Sequence, residues 1–205
     1  MTGRQKHWDT VFTTKDPLTF SWYQKVPETS LRLIFNASPD TDSWIIDVGG
    51  GSSMLVDSLI EKKFSNITVL DISEKALAVA RQRLGDSANT VEWIATDITK
   101  FAPSHKYDIW HDRAVLHFLT NYQDRLKYVE VLKKALNPGA TVIVAAFAIG
   151  GPEKCSGLPI VQYDAEKIVA LFGDRFHLVE QIEETHITPS GAPQLFAFFR
   201  FQYKP

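Results

Sequence analysis

The stretch SWIIDVGGGSS, residues 43–53, decides the fold of this chain, because an apolar run passes directly into three glycines. Trp44, Ile45, Ile46 and Val48 are apolar, and Asp47 interrupts them. An apolar run of this length before a turn signal predicts a buried strand. Bare backbone N–H groups in a glycine loop, followed by a helix N-terminus, can approach an anionic group closely. The stretch therefore predicts a nucleotide-binding loop after the first strand.

Strand and helix patterns alternate through most of the chain. Strand-like runs lie at 44–48, 66–73, 90–98, 107–112 and 137–148, and helix-like patterns lie at 26–40, 52–64, 73–85, 122–136 and 164–172. This alternation predicts a parallel sheet with helices on both faces. The last two strand patterns, at 176–188 and 194–202, have no helix between them and predict an antiparallel hairpin at one edge. The predicted fold class is α/β, with a doubly wound, mostly parallel seven-stranded sheet and a C-terminal antiparallel hairpin.

The composition is that of an ordinary globular protein. Of 205 residues, 44% are hydrophobic and 22% are charged, and the formal net charge is −2. That charge, with scattered basic residues, gives no footprint for nucleic acid. The N-terminus shows no apolar signal segment, and the longest apolar run, VIVAAFAI, is too short to cross a bilayer. With a single cysteine, which fits a reducing compartment, these features predict a cytoplasmic protein without a membrane partner.

The length fits one domain over residues 1–205. Within it we expect an N-terminal lid and helix at 1–40, a cofactor-binding core at 41–150, and a substrate-side loop, helix and terminal hairpin at 151–205. No feature of the sequence predicts an oligomeric state.

The glycine loop alone leaves the class of nucleotide open. Gly49 and Gly51 begin a dinucleotide-binding pattern, but Met54 stands where that pattern needs a third small residue. Asp71 follows Gly51 by twenty residues, which suits a carboxylate on ribose hydroxyls in either class of cofactor. The glycines therefore permit either a nicotinamide dinucleotide or another adenosine cofactor.

Several motifs together distinguish the classes. IIDVGGGS, VLDIS, ATDI, YDIWHD and LNPGATVIV resemble, in order and spacing, the class I S-adenosylmethionine-dependent methyltransferases. The resemblance covers about residues 40–150 by motif and implies a Rossmann-like methyltransferase fold with S-adenosyl-L-methionine as cofactor. HWDTVF and SWYQ also resemble N-terminal segments of the small lysine methyltransferase-like and small-molecule methyltransferase group.

The resemblance implies a set of cofactor-binding residues. These are Trp22, Tyr23, Asp47, Gly49, Gly51, Asp71, Ile72, Asp97, Ile98 and His111. Asp47 and the two glycines would border the methionine part, Asp71 would accept from the ribose hydroxyls, and Asp97 would accept from the adenine amino group. Ile72 would pack on adenine, the Ile98 N–H would reach a ring nitrogen, and His111 would line the sulfonium pocket. Gly50 falls at a variable position of the family's pattern.

Each aspartate also suits a simpler structural role. Asp47 and Asp97 could cap the turns that follow their strands, which is a common use of aspartate. Three aspartates at the carboxyl ends of successive strands instead face the crevice where open α/β sheets bind ligands. We therefore expect them to bind the cofactor.

Candidate catalytic residues follow the fourth strand in WHDRAVLHFL. An acceptor that must lose a proton would be helped by a base of near-neutral pKa, whereas a thiolate would need none. His117 and Asp112 are the candidates. As alternatives, His117 could be a core histidine beside Leu116, and Asp112 could pair with Arg113.

Two residues are candidates for contact with the acceptor. Cys155 lies in the Gly/Pro-rich stretch AIGGPEKCSGLPIVQYD, and His186 lies near the final hairpin turn. Cys155 could be a reactive thiol or an incidental small residue. The histidines at 105, 111 and 117 are six residues apart, which matches no standard metal motif, so we predict no metal.

The N-terminal segment carries a group of aromatic residues. They are Trp8, Phe12, Phe20, Trp22 and Tyr23. They could close over the cofactor as a lid, form an aromatic cage for a cationic amine, or anchor the N-terminal segment to the sheet.

The leading hypothesis is therefore methyl transfer from S-adenosylmethionine to a small molecule or a protein side chain, with the acceptor atom undetermined. One alternative is a cofactor-binding partner module without catalysis, because fold resemblance does not establish a reaction. The other is a short NAD(P)-dependent oxidoreductase, which Met54 disfavours.

Overall fold

The computed structural model describes residues 3–205. The helices are α1 (Gly3–Thr14), α2 (Glu28–Phe35), α3 (Leu55–Glu61), α4 (Glu74–Leu84), α5 (Tyr122–Ala135) and α6 (Ala165–Phe172). The strands are β1 (Trp44–Val48), β2 (Asn66–Asp71), β3 (Val91–Ala95), β4 (Tyr107–Arg113), β5 (Leu136–Phe147), β6 (Lys154–Cys155), β7 (Leu158–Pro159), β8 (Phe176–Ile187) and β9 (Pro193–Tyr203). Among these, β6 and β7 form a separate two-stranded hairpin.

The main sheet has seven strands in the order β3-β2-β1-β4-β5-β9-β8. Strands β1 to β5 run parallel, whereas β9 is antiparallel to both β5 and β8. The predicted fold class, including its C-terminal antiparallel hairpin, is confirmed.

The last strand lies inside the sheet, and its predecessor along the chain forms the edge. Residues 196–199 of β9 are buried without interruption, which requires cover on both faces of the sheet. Along β8, buried or half-buried residues alternate with exposed ones, as expected for a strand with one solvated face. The burial patterns thus explain why β9 inserts between β5 and β8.

Each face of the sheet carries its own hydrophobic core. Adjacent residues of β1 point to opposite faces of the sheet. Ile45 belongs to the same hydrophobic cluster as Leu33 and Leu59. Ile46 belongs to the other cluster, with Leu132 and Phe172. Helices α2 and α3 therefore cover one face, and α5 and α6 cover the other. The two covered faces leave the carboxyl ends of β1 to β4 as the accessible edge of the parallel sheet.

Two local features differ from the sequence-based expectation. Helix α3 begins at Leu55 and not near residue 52, because residues 49–54 are all needed to turn the chain away from β1. The N-terminal segment forms helix α1, which the sequence analysis did not predict. Its sequence has little amphipathic pattern, and Val11 is its one buried residue. Helix α1 is held by packing on α4 and by a hydrogen bond from Ser73 Oγ to Asp9 Oδ1 at 2.6 Å.

Candidate active site

Two adjoining cavities open where the parallel strands end. The first has an empty volume of about 870 Å³, including its open mouth, and the second about 590 Å³. Phe12, Trp22, Gly49 and Arg113 line both cavities and form their shared wall. The cavities therefore lie side by side beneath the N-terminal segment.

Most of the predicted cofactor residues line one or both cavities. The first cavity is lined by Trp22, Gly49, Asp71, Ile72, Asp97 and Ile98, and the second by Trp22, Tyr23, Asp47, Gly49 and His111. Gly51 lines neither cavity. Its φ is +40°, and a Cβ at this position would lie 2.7 Å from Asp71 Oδ2. A glycine here therefore lets the loop turn against the Asp71 carboxyl group.

Gly50, which falls at a variable position of the family's pattern, is sterically constrained in this chain. A Cβ there would lie 2.5 Å from Asp47 Oδ2 and 2.7 Å from the Val69 side chain. The loop passes so close to these buried side chains that a larger residue would displace one of them.

Asp47 belongs to a buried polar chain beside the second cavity. Its Oδ1 lies 2.7 Å from His111 Nδ1, and His111 Nε2 lies 2.9 Å from Ser30 Oγ. All three residues are buried, whereas the other carboxylate oxygen, Asp47 Oδ2, has no hydrogen-bond partner. Both ring nitrogens of His111 are therefore engaged, and one buried carboxylate oxygen remains available to a ligand.

Asp71 is a buried carboxyl group in the first cavity. Its Oδ1 accepts a hydrogen bond from the Ser73 backbone N–H at 2.8 Å. Burial raises the pKa of Asp71 to about 7, the Ser73 N–H opposes this shift, and the nearby charge of Asp47 adds to it. Donors supplied by a ligand would stabilise the carboxylate form of Asp71.

Asp97 has both the capping role and a place in the first cavity. Its Oδ1 accepts from the Thr99 backbone N–H at 3.0 Å and from Thr99 Oγ1 at 2.8 Å, which caps the short helical turn at Ile98–Lys100. Its Oδ2 lies 3.4 Å from Arg4 Nη2, and the same nitrogen lies 3.0 Å from Asp124 Oδ2. Helix α1 is thus tied by an ion pair to the rim of the cavity.

The N-terminal aromatic residues form a connected cluster over the cavities. Phe20 stacks on Trp22 with ring centroids 4.5 Å apart, and Trp8 contacts both Trp22 and Phe118. His186 lies outside both cavities, and its Nε2 is 2.8 Å from the Ser21 carbonyl oxygen, as a donor that anchors this segment. The lid and the anchor interpretations are therefore compatible.

The two candidate catalytic residues lie outside both cavities. His117 is fully buried, neither ring nitrogen has a hydrogen-bond partner, and burial together with the Arg113 charge lowers its pKa to about 3. Asp112 is also fully buried; it accepts from the Val115 and Leu116 N–H groups and from Tyr128 Oη. In this arrangement neither side chain reaches an acceptor in the cavities.

Cys155 does line the first cavity, as part of strand β6. Burial raises the pKa of its thiol to about 11, although the positive charge of Arg113 acts in the opposite direction. The thiol is therefore protonated at neutral pH and is a poor nucleophile.

Arg113 is the main residue that the sequence-based reasoning misplaced. The expected pair with Asp112 does not form, because adjacent residues of β4 point to opposite faces of the sheet. Arg113 instead shares a face with His111, two residues earlier, and both line the second cavity. The alternation of strand residues could have identified it.

The first cavity also contains residues of β5 and β9 that the sequence analysis did not select. These are Phe147, Gln194 and Phe196. Strands β5 and β9 bring them to the cavity, and no local sequence motif marks them.

Within residues 3–205, no group of three or more His, Cys, Asp or Glu side chains is placed to hold a metal ion. In the same range no helix is both long and apolar enough to cross a membrane.

Comparison with known proteins gives a family match and related sequences. The family model described as a methyltransferase domain matches residues 46–142. Malonyl-(acyl-carrier protein) O-methyltransferase 1 of Ilyobacter polytropus is 29% identical over 105 residues, or 50% of this chain and 37% of the relative. The ubiquinone biosynthesis O-methyltransferase of Aromatoleum aromaticum is 29% identical over 100 residues, or 48% of this chain and 41% of the relative. The chain spans about two fifths of the length of the curated relatives it matches.

Solved structures show the same fold over the whole chain. The N-methyltransferase NodS from Bradyrhizobium japonicum, in complex with S-adenosyl-L-homocysteine, has a TM-score of 0.75 and 17% identity, with 100% of each chain covered. The 1,6-didemethyltoxoflavin-N1-methyltransferase of Burkholderia thailandensis has a TM-score of 0.69 and 14% identity, with 98% of this chain and 84% of that chain covered. These likenesses concern the fold.

Proposed function

Because residues 46–142 of this chain belong to the class I S-adenosylmethionine-dependent methyltransferase family, as its motifs predict, we propose that the protein transfers a methyl group from S-adenosylmethionine to an acceptor. One observation carries the proposal: carboxyl groups from the ends of β1, β2 and the turn after β3 meet at two adjoining cavities. Ligands of open α/β sheets bind at this edge of the fold.

The residues present fit the cofactor. Asp47 Oδ2 is a buried carboxylate oxygen without a partner, and it would accept from the ammonium of the methionine part. Asp71 would accept from the ribose hydroxyls, which would stabilise its carboxylate form. Asp97 and the Ile98 N–H would meet the adenine, with Ile72 against its face. The glycine loop would border the methionine part.

When bound, S-adenosylmethionine would supply a methyl group on a sulfonium sulfur. A lone pair of the acceptor would bond to the methyl carbon as the carbon–sulfur bond breaks, and the sulfur would be left as a thioether. The chain contributes binding, orientation and the exclusion of water. Trp8, Phe12 and Trp22 cover the first cavity and restrict the access of solvent.

Among the described residues that line the first cavity, the two aspartates assigned to the cofactor are the only titratable groups that could act as a base near neutral pH. Burial lowers the pKa of Arg113 to about 10 and raises that of Cys155 to about 11, so both stay protonated at neutral pH. Its other titratable residue is Arg4, which pairs with Asp97 and Asp124. The cavity therefore suits an acceptor whose attacking atom does not need to lose a proton to a protein base before methyl transfer.

We assign structural roles to the two residues that were candidates for catalysis. Asp112 caps the turn at Leu116–Phe118 and binds Tyr128, and His117 packs against Phe118 and Phe147. Positioning of the cofactor and acceptor then supplies the rate enhancement without a base.

Calorimetric titration with S-adenosylhomocysteine and, separately, with NADH tests the proposed function. We expect binding of S-adenosylhomocysteine alone, followed by transfer of a labelled methyl group to an acceptor. Binding of NADH alone would establish the oxidoreductase alternative and reject the methyltransferase. Binding of S-adenosylhomocysteine without transfer to any acceptor tried would favour the non-catalytic module.

A further inference from the structure

Arg113 places a positive charge without a partner at the shared wall of the cavities. Its Nη1 donates to the Trp22 carbonyl oxygen at 2.9 Å, whereas Nε and Nη2 are buried and have no hydrogen-bond partner. Within the described residues no carboxylate lies at ion-pair distance from this guanidinium; Glu184 and Asp47 act on it from farther away. Buried donors are costly without an acceptor, so Nε and Nη2 of this cation favour an anionic group as their partner.

The charge of Arg113 also acts on groups that are not assigned to the cofactor. It lowers the pKa values of His117 and His186, in addition to the larger effect of burial, and opposes the raised pKa of Cys155. The guanidinium also lies over the Phe196 ring, 4.8 Å from the ring centroid. These neighbours belong to β6, β8, β9 and the turn after β4, and none is assigned to the cofactor.

The surrounding walls of this part of the first cavity are aromatic. Phe118, Phe147 and Phe196 line it, together with Trp22 of the lid. Gln194 also lines it, and its buried Oε1 has no hydrogen-bond partner. The cavity is thus lined by apolar side chains and by Arg113 and Gln194, whose buried atoms Nε, Nη2 and Oε1 have no hydrogen-bond partner.

We propose that the methyl acceptor is a largely apolar organic anion whose carboxylate binds Arg113. This inference rests on the proposed function and names the substrate class of the same site. A guanidinium presents parallel N–H donors that match a carboxylate, and the Phe196 ring holds its plane. Because Nε and Nη2 are buried in this arrangement, a side chain of the cavity wall must move before the carboxylate reaches them. Gln194 Oε1 then accepts from a donor elsewhere on the acceptor.

The test compares 2-naphthoate with its uncharged analogue 2-naphthamide, by calorimetry on the full chain saturated with S-adenosylhomocysteine. We expect the carboxylate to bind about tenfold or more tightly, as for a charge-assisted hydrogen-bonded pair. Arg113→Met should abolish this preference, and Arg113→Lys should retain part of it. Arg32→Met is the control, because it removes an exposed guanidinium that lines neither cavity and should leave the preference intact.

Several outcomes overturn the inference. They are equal binding of the two probes, no binding of the carboxylate at millimolar concentration, and a preference that survives Arg113→Met. The wild-type comparison decides the matter even if the methionine variant fails to fold.

A comparison of cofactor fragments separates this inference from the proposed function. If Arg113→Met or Arg113→Lys weakens binding of S-adenosylhomocysteine but not of 5′-methylthioadenosine, Arg113 holds the cofactor's own carboxylate, and the inference is rejected while the proposed function stands. If the wild type binds neither nucleoside, the proposed function itself fails.

Discussion

Asp71 combines a structural cost with a proposed binding role. It is buried at the end of β2, beside Gly51 and within the electrostatic reach of Asp47. Burial raises the pKa of Asp71 to about 7, so the ionised carboxylate destabilises the folded state. Residues that bind a ligand often destabilise the free protein in this way, and replacing them then raises stability and reduces function.

Asp71→Asn should stabilise the free protein and weaken cofactor binding. At pH 8 we expect a gain in unfolding free energy on the order of 1–3 kcal/mol, since each unit of pKa shift corresponds to about 1.4 kcal/mol. Affinity for S-adenosylhomocysteine should fall about 10- to 100-fold with the loss of charge-assisted hydrogen bonds. Thermal melts and calorimetry measure the two effects. Unchanged affinity would remove Asp71 from the ribose site.

His117 shows why a histidine near an active site need not be catalytic. Its ring is enclosed by Phe118 and Phe147 and is held neutral by burial and by the charge of Arg113. A base in that environment could neither reach an acceptor nor hold a proton at neutral pH.

His117→Leu should therefore preserve methyl transfer to within about threefold, because removal of a general base typically costs about 10²–10⁴-fold in rate. Cofactor affinity should also be unchanged. The measurement is turnover with a labelled methyl donor, together with a thermal melt to confirm folding. A loss of turnover of a hundredfold in a folded variant would restore His117 as the base.

At the scale of elements, helix α1 is held over the cavity by polar contacts and by ring contacts of half-buried aromatic side chains. Arg4 bridges Asp97 and Asp124, and Asp9 binds Ser73 at the start of α4. Trp8 and Phe12 add ring contacts with Trp22 and Phe118, but Val11 is the one residue of the helix that is buried. Elements with little burial open at low free-energy cost, and lids are drawn from such elements.

Arg4→Ala should accelerate exchange of the cofactor. Partly exposed ion pairs contribute up to about 1 kcal/mol, so we expect S-adenosylhomocysteine to dissociate about two- to fivefold faster. Stopped-flow tryptophan fluorescence can follow this, because Trp8 and Trp22 line the first cavity. Lys6→Ala, an exposed position on the same helix, is the control. Equal rates in both variants would show that the Arg4 ion pairs do not hold the lid.

At the scale of the whole molecule, buried groups of opposite kinds give opposing pH dependences of stability. Asp71 and Asp112 have pKa values raised to about 7 and about 6, so the folded state binds more protons than the unfolded state above about pH 4. Their contribution to stability falls as pH rises to about 7. His117 and His186 have lowered pKa values, so the unfolded state binds their protons below about pH 6.5, and their contribution rises with pH.

The two trends should offset each other between about pH 4 and 6.5, and single substitutions should separate them. In Asp71→Asn the histidines dominate, so the unfolding free energy should increase with pH. In His117→Leu the carboxyl groups dominate, so it should decrease with pH. Urea unfolding across this range gives both slopes. Parallel profiles in the two variants would contradict the proposed balance.

The sequence by itself determined the order of the elements and the resemblance to a methyltransferase family. The bounds of β1 match the apolar run before the glycines, and the absence of a helix between the last two strand patterns predicted their antiparallel pairing. Asp71 and Asp97 were identified because their motifs place them at the ends of neighbouring strands, and the carboxyl ends of these strands meet in a parallel sheet. These features depend on local periodicity and turn chemistry, which a sequence displays directly.

The tertiary structure alone decided which side chains share a cavity. Cys155 and Gln194 reach the first cavity through β6 and β9, far along the chain from the glycine loop. Likewise, His117 is buried in the core, and Nε and Nη2 of Arg113 are left without a hydrogen-bond partner beside the aromatic walls. Burial and missing partners depend on packing between distant segments, so no local pattern encodes them.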